Sequence, residues 1–106
     1  MARFILSEQA LADVDMAQAH ICADNPVAAD QVQEAIFAGF ELLARNPALG
    51  RRRHFRGHRN LRSWAVTAFT NYLIFCREIP DGSGIEVLRV LHGASDLGVL
   101  VETGSP

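Results

Sequence analysis

The apolar positions of this chain follow a helical spacing in its first half and an alternating one in its second. Arg3–Leu6 (RFIL) is a short apolar run that reads as a strand. Ser7 then offers an N-cap oxygen, and Glu8 places a negative charge in the first turn of a helix. Through Glu8–Asp24 the apolar residues Leu11, Val14, Ala17 and Ile21 recur at three- and four-residue steps, which makes one helical stripe. Asn25-Pro26 punctuates it, because asparagine caps and proline suits the first position of a following helix. From Val27 to Arg45 a second stripe runs through Val32, Ile36, Gly39, Phe40 and Leu43. Gly39 costs about 1 kcal/mol in a helix interior, and close approach to the first helix is the expected compensation. Asn46-Pro47 and Gly50 end this second helix, so an αα-hairpin follows.

The second half changes period. Gly50–Asn60 (GRRRHFRGHRN) reads as a basic loop with Phe55 its one large apolar residue. Leu61–Thr67 (LRSWAVT) and Tyr72–Ile79 (YLIFCREI) have strand composition and are joined by Ala68–Asn71. Asp81-Gly82-Ser83-Gly84 is a turn, and Ile85–Leu91 (IEVLRVL) is the last strand. The order β-α-α-β-β-β predicts an α+β domain whose last three strands form an antiparallel meander. Residues 1–101 are expected to be one domain, with 102–106 a loose tail.

That last strand needs cover on both faces. Simple alternation puts Ile85, Val87 and Leu91 on one side and Leu88 and Val90 on the other. Two helices adjacent in sequence share one face. For the other, only Gly93–Val101 (GASDLGVLV) remains, so either this segment folds back or a partner chain supplies the layer. The shortness of the segment favours the partner.

Composition adds little to that picture, whereas charge changes it. Hydrophobic residues make up 49% of the chain, enough for a core without metal or disulfide staples. No apolar run approaches the roughly 20 residues of a membrane helix, and MARFILSEQ is too short a run for a signal peptide, so a cytoplasmic location is expected. Cys22 and Cys76 lie in separate regular elements and read as buried, reduced thiols. All ten cations are arginine. Seven of them (Arg45, Arg51, Arg52, Arg53, Arg56, Arg59 and Arg62) fall within residues 45–62, a stretch without an acid that also holds His54 and His58. The flanks are acidic, and the net charge of −2 conceals the contrast. Such a block attracts a polyanion or an acidic protein, and arginine favours bidentate contact with phosphate or carboxylate.

Five segments in this order carry a family likeness: ALADVDMAQAHICADNPVAA, LLARNPALGRRR, NLRSW, NYLIFCREI and IEVLRVLHGASDL. Together, over about residues 4–97, they resemble the ParE/RelE superfamily of bacterial toxin–antitoxin toxins, in its ParE or plasmid-stabilisation branch. The resemblance implies an αα-hairpin packed on an antiparallel sheet, DNA gyrase as target, and a ParD-like antitoxin that wraps the toxin in a hetero-oligomer. Two positions depart from the family pattern. Ser95 stands where HGARD has an arginine that, in the ribosome-dependent RelE branch, stabilises charge during mRNA cleavage. Cys76 stands where a tyrosine is usual. RelE-type toxins also use lysines and a C-terminal tyrosine, whereas this chain has no lysine and its one tyrosine is Tyr72.

The chemistry of individual residues points the same way. His54 and His58 sit on a loop that fixes no catalytic geometry, and His92 ends a strand, where a structural or contact role fits. His54 and His58 resemble half of a zinc pattern that nothing completes, so no metal and no cofactor is assigned. Asp13 and Asp15 point to different sides of a helix and read, with Asp24, as a solvated acidic face. Trp64 and Phe69 read as core. Phe37, at the edge of its stripe, reads as core with a second role open as an aromatic anchor for a partner. Arg62 and Arg89 interrupt apolar strands, so each is either paired internally (Glu78, Glu86 and Asp96 are at hand) or meets a partner's carboxylate. The candidate target or antitoxin surface is therefore Arg51, Arg52, Arg53, His54, Arg56, Arg59, Arg62, Arg89, His92 and Phe37. The expected function is a non-catalytic toxin that inhibits gyrase. An mRNA endonuclease of RelE type, or a degenerate toxin that only binds antitoxin, are the alternatives. Replacing Arg51, Arg52 and Arg53 together by alanine is expected to spare folding and weaken binding.

Overall fold

The architecture follows from two helices laid on one face of a sheet. The computed structural model describes residues 2–55 and 57–93. Its elements are β1 (Arg3–Leu6), α1 (Glu8–Cys22), α2 (Pro26–Arg45), β2 (Arg51–Arg52), β3 (Arg62–Val66), β4 (Phe69–Glu78) and β5 (Gly84–His92). The sheet order is β1-β5-β4-β3-β2. The last four strands are antiparallel to their neighbours, whereas β1 lies parallel to β5 at the sheet's edge. The expected α+β meander is present, with one strand more than the sequence pattern shows. That strand is β2, two residues of the basic segment, too short to carry a period of its own.

Both helices start on a side-chain cap. Ser7 Oγ accepts the Ala10 amide at 2.9 Å, and Asn25 Oδ1 accepts the Ala28 amide at 3.1 Å, with Pro26 opening α2. The Ser7 hydroxyl also donates to the Leu88 carbonyl at 2.8 Å, which ties the start of α1 to the middle of β5. Here the alternation of β5 breaks. Phe75 pairs with Arg89, but the next residue, Cys76, pairs with Val87, so β5 carries one extra residue. The bulge shifts the phase of everything after it. Val90 joins Ile85 and Val87 in the core under the helices, while Leu91 goes to the opposite face. This corrects the partition that strict alternation gives.

The α1 stripe keeps Val14, Ala17 and Ile21 on the core as expected, but Ala10 and Asp13 take the place of Leu11. Ala10, Asp13, Val14 and Ala17 are buried, and Leu11 is 50% exposed. Asp13 faces inward to Arg89, on the same side of the helix as Ala10 and Ala17. Gly39 makes its close approach to the sheet rather than to α1, since a Cβ there would lie 2.7 Å from Ile74 Cδ1. Of the two thiols, Cys76 is buried and Cys22 is exposed, contrary to expectation for the second, because Cys22 is the last residue of α1. The β3–β4 connection is a tight turn at Thr67-Ala68, with Ala68 at φ 68, so β4 begins at Phe69 and not at Tyr72.

The second face of the sheet has a small core of its own. Leu61, Phe75 and Leu91 are buried there, with Phe55, Leu73 and Leu88 packed against them. Part of the layer is thus supplied by the basic segment itself, through Phe55, a source that sequence alternation does not reveal. The contribution of Gly93–Val101 beyond Gly93 lies outside the described residues, as do Ser95, Asp96 and the tail at 102–106.

Candidate functional site

The basic segment divides over two faces of the sheet because β2 is extended. Arg51 pairs with Ser63 and Arg52 with Arg62. Successive strand residues point to opposite sides, so Arg51 lies with Ser63 and Phe75 on the second face. Arg52 lies with Arg62 and the buried Cys76 on the helix face. The described arginines of the segment are therefore not one patch.

Several of them hold the segment in place. The Arg53 guanidinium lies 5.3 Å from the centroid of Phe55 and 5.7 Å from that of Phe75, and its Nη1 donates to Ser63 Oγ at 3.1 Å. It seals the second-face core by cation–π contact. Phe55 meets Phe75 edge-to-face at 6.2 Å. A turn follows, with the His58 amide donating to the Phe55 carbonyl at 3.0 Å and Gly57 at φ 84. His58 Nε2 is buried there, with no hydrogen-bond partner among the described residues. Arg62 Nη1 donates to the Ala48 and Gly50 carbonyls at 3.2 and 2.8 Å, which pins the corner between α2 and β2. Arg51, Arg52, His54 and Arg59 are exposed, and Arg56 lies outside the described residues.

Arg89 is held inside the molecule. Its Nε and Nη2 donate to the two carboxylate oxygens of Asp13 at 2.8 and 2.9 Å, and the Val90 amide donates to Asp13 Oδ2 at 3.0 Å. Asp13 was not among the acids that strand neighbours suggest, since the pair spans from helix to sheet. A sequence signal does exist, because Asp13 lies three residues from Ala10 and four from Ala17, inside the apolar stripe. Phe37 packs against Phe4 and Phe40 at 6.2 and 5.1 Å, half-buried, as a core residue at the rim. Trp64 and Phe69 also pack on the main core. His92 stands edge-to-face with Tyr72 at 5.3 Å. Both rings border a groove of about 340 Å³ beside α1, where Met16 is 70% exposed and His20 contributes a second imidazole.

Charge pairing separates the basic segment from the rest. Arg3, Arg77 and Arg89 each meet a carboxylate, on Asp81, Glu86 and Asp13. Among the described residues no arginine of the segment does so. Its exposed guanidinium groups are available to an external anion. Elsewhere, hydrogen bonds from Ser83 hold the Asp81 carboxyl below the usual carboxylate range, which fixes the β4–β5 turn. Burial pushes the Cys76 thiol up to about 11, against the opposing effect of Arg62. A thiol so protonated is inert, and Cys76 is a packing residue. No described group of three or more His, Cys, Asp or Glu side chains has the arrangement of a metal site.

Three comparisons place this geometry. Among curated proteins there is no match. A solved structure, the chromosomal ParDE TA system from P. aeruginosa, contains a chain that superposes with a TM-score of 0.69 at 20% identity. The superposition covers 87% of this chain and 96% of that one, which establishes a shared fold. The family profile described as ParE toxin of type II toxin-antitoxin system, parDE, matches residues 4–97. With nearly the whole described fold inside that match, this chain belongs to the ParE toxin family of type II toxin–antitoxin systems.

Proposed function

We propose that this toxin acts by binding DNA gyrase and stalling it with cleaved DNA, and that a cognate ParD-like antitoxin binds and neutralises it in the cytoplasm. The observation that carries the reading, beyond family membership, is the arginine-rich sheet edge, which has no carboxylate partner among the described residues. A gyrase–DNA complex and an acidic antitoxin segment both present anions to such an edge. Arg51, Arg52, His54 and Arg59 make the contact, Arg56 belongs to the same segment, and Arg53 and Arg62 hold its frame. Arg89, His92 and Phe37 support the face next to it through Asp13, Tyr72 and Phe4. Inhibition by binding needs no cofactor.

A supercoiling and cleavage-complex assay with purified toxin tests this. Loss of supercoiling together with accumulation of cleaved DNA is expected, relieved by stoichiometric antitoxin. Activity of gyrase undiminished at molar excess of toxin removes the topoisomerase reading.

A second reading, cleavage of ribosome-bound mRNA, draws support from one feature. The groove beside α1 brings His20, Tyr72 and His92 to the same cavity, and imidazole and phenol groups can move protons. Primer extension after induction decides it, since cleavage produces new 5′ ends inside reading frames.

A further inference from the structure

On the helix face, at the corner where α2 gives way to β2, a cleft of about 530 Å³ is lined by Arg52 and Arg62. These two are direct register partners across β2 and β3. Like charges opposite one another on a sheet repel, and here no carboxylate is in ion-pair contact with either, among the described residues. Arg62 commits only Nη1 to the Ala48 and Gly50 carbonyls, so its Nε and Nη2 have no acceptor among the described residues. Its position is fixed by those two bonds, and it is half-buried. Two arginines on register-paired positions that line one cleft, Arg62 fixed and Arg52 exposed, can together seat a tetrahedral oxyanion.

The other walls narrow the ligand. Pro47, Ile79 and Pro80 add apolar lining, and Glu78 lines the same cleft. A free inorganic anion gains nothing from the apolar lining. A nucleoside phosphate uses all of it: phosphate on Arg52 and Arg62, base against the prolines and Ile79, and ribose hydroxyls donating to Glu78. We infer that this cleft is a binding site for a ribonucleoside phosphate, either free or within an RNA strand. It borrows two arginines from the surface given above to protein partners and rests on that reading only for their accessibility.

Isothermal titration of the purified full chain with adenosine and guanosine 5′-phosphates, with their 2′-deoxy counterparts, with a short single-stranded RNA, with an oligoglutamate peptide and with inorganic phosphate tests the site without gyrase or antitoxin. A gyrase result of either sign therefore leaves it standing, and its failure leaves the gyrase reading intact. Binding of the nucleotides is expected, weakened about tenfold or more by Arg52→Ala. Arg51→Ala makes the same change of charge on the opposite face of β2 and is expected to alter the affinity less than about twofold, the size of a screened long-range effect. Glu78→Gln should erode the preference for ribose over deoxyribose. Tighter binding of RNA than of free nucleotide identifies the strand as the source, and the reverse identifies the free nucleotide. Absence of nucleotide binding at millimolar concentration overturns the site. So do equal losses from Arg51→Ala and Arg52→Ala, inorganic phosphate binding as tightly as the nucleotides, or binding of an acidic peptide alone.

Discussion

Asp13 is the residue on which the packing of α1 turns. It accepts three hydrogen bonds from β5, and its side chain is 8% exposed against 19% for Arg89. Removing one partner of such a pair leaves the other charged and partly dehydrated. Asp13→Ala is expected to destabilise the fold by about 3 kcal/mol in denaturant unfolding. The double replacement Asp13→Leu with Arg89→Met should be less damaging than Asp13→Ala alone. Cys76 gives a second test with a definite sign. Its thiol holds the proton more tightly in the folded chain than in the unfolded one, so stability is full below pH 9.0 and declines as pH rises toward 11. The decline amounts to about 2–3 kcal/mol, and in Cys76→Val this component of the pH profile should vanish. Native protein is expected to take a maleimide at Cys22 alone, with Cys76 reacting only after denaturation.

Strand β5 organises the elements around it. Its bulge lets Arg89 reach α1, offers the Leu88 carbonyl to Ser7, and sends Leu91 to the second core. Its first residue, Gly84, sits so close to β1 that a Cβ would overlap the Arg3 carbonyl. Gly84→Ala should push β1 from the sheet edge and cost on the order of 2–4 kcal/mol, measured by thermal unfolding. Faster hydrogen exchange at Ser7, whose amide donates to the Val87 carbonyl at 3.0 Å, would locate the damage. The capped starts of both helices and the strand composition of β3 to β5 were legible in the sequence because each depends on residues a few positions apart. The bulge was not, since one residue added to a strand leaves hydrophobicity unchanged and alters only which face it serves.

For the molecule as a whole, the basic segment is both a surface and part of a core, and the two roles separate by mutation. Arg51→Ala with Arg52→Ala should leave the unfolding midpoint within about 0.5 kcal/mol of the parent while weakening gyrase or antitoxin binding. Arg53→Ala should cost about 1–2 kcal/mol, because it removes the cation–π contacts and the bond to Ser63. The triple replacement of Arg51, Arg52 and Arg53 by alanine is therefore expected to fold with about the same 1–2 kcal/mol loss of stability, all of it from Arg53. Reduced toxicity in the double variant with an intact melting curve is the outcome that assigns the surface. Charge segregation, the helical hairpin, the meander and the family likeness are properties of neighbouring residues, and reading along the chain was enough to obtain them. Which arginines meet carboxylates, which face Arg51 and Arg52 each serve, and that Phe55 helps to close the second core depend on contacts between segments far apart in the chain. Linear order carries no record of those distances, so they emerged only when helix, edge strand and sheet were packed together.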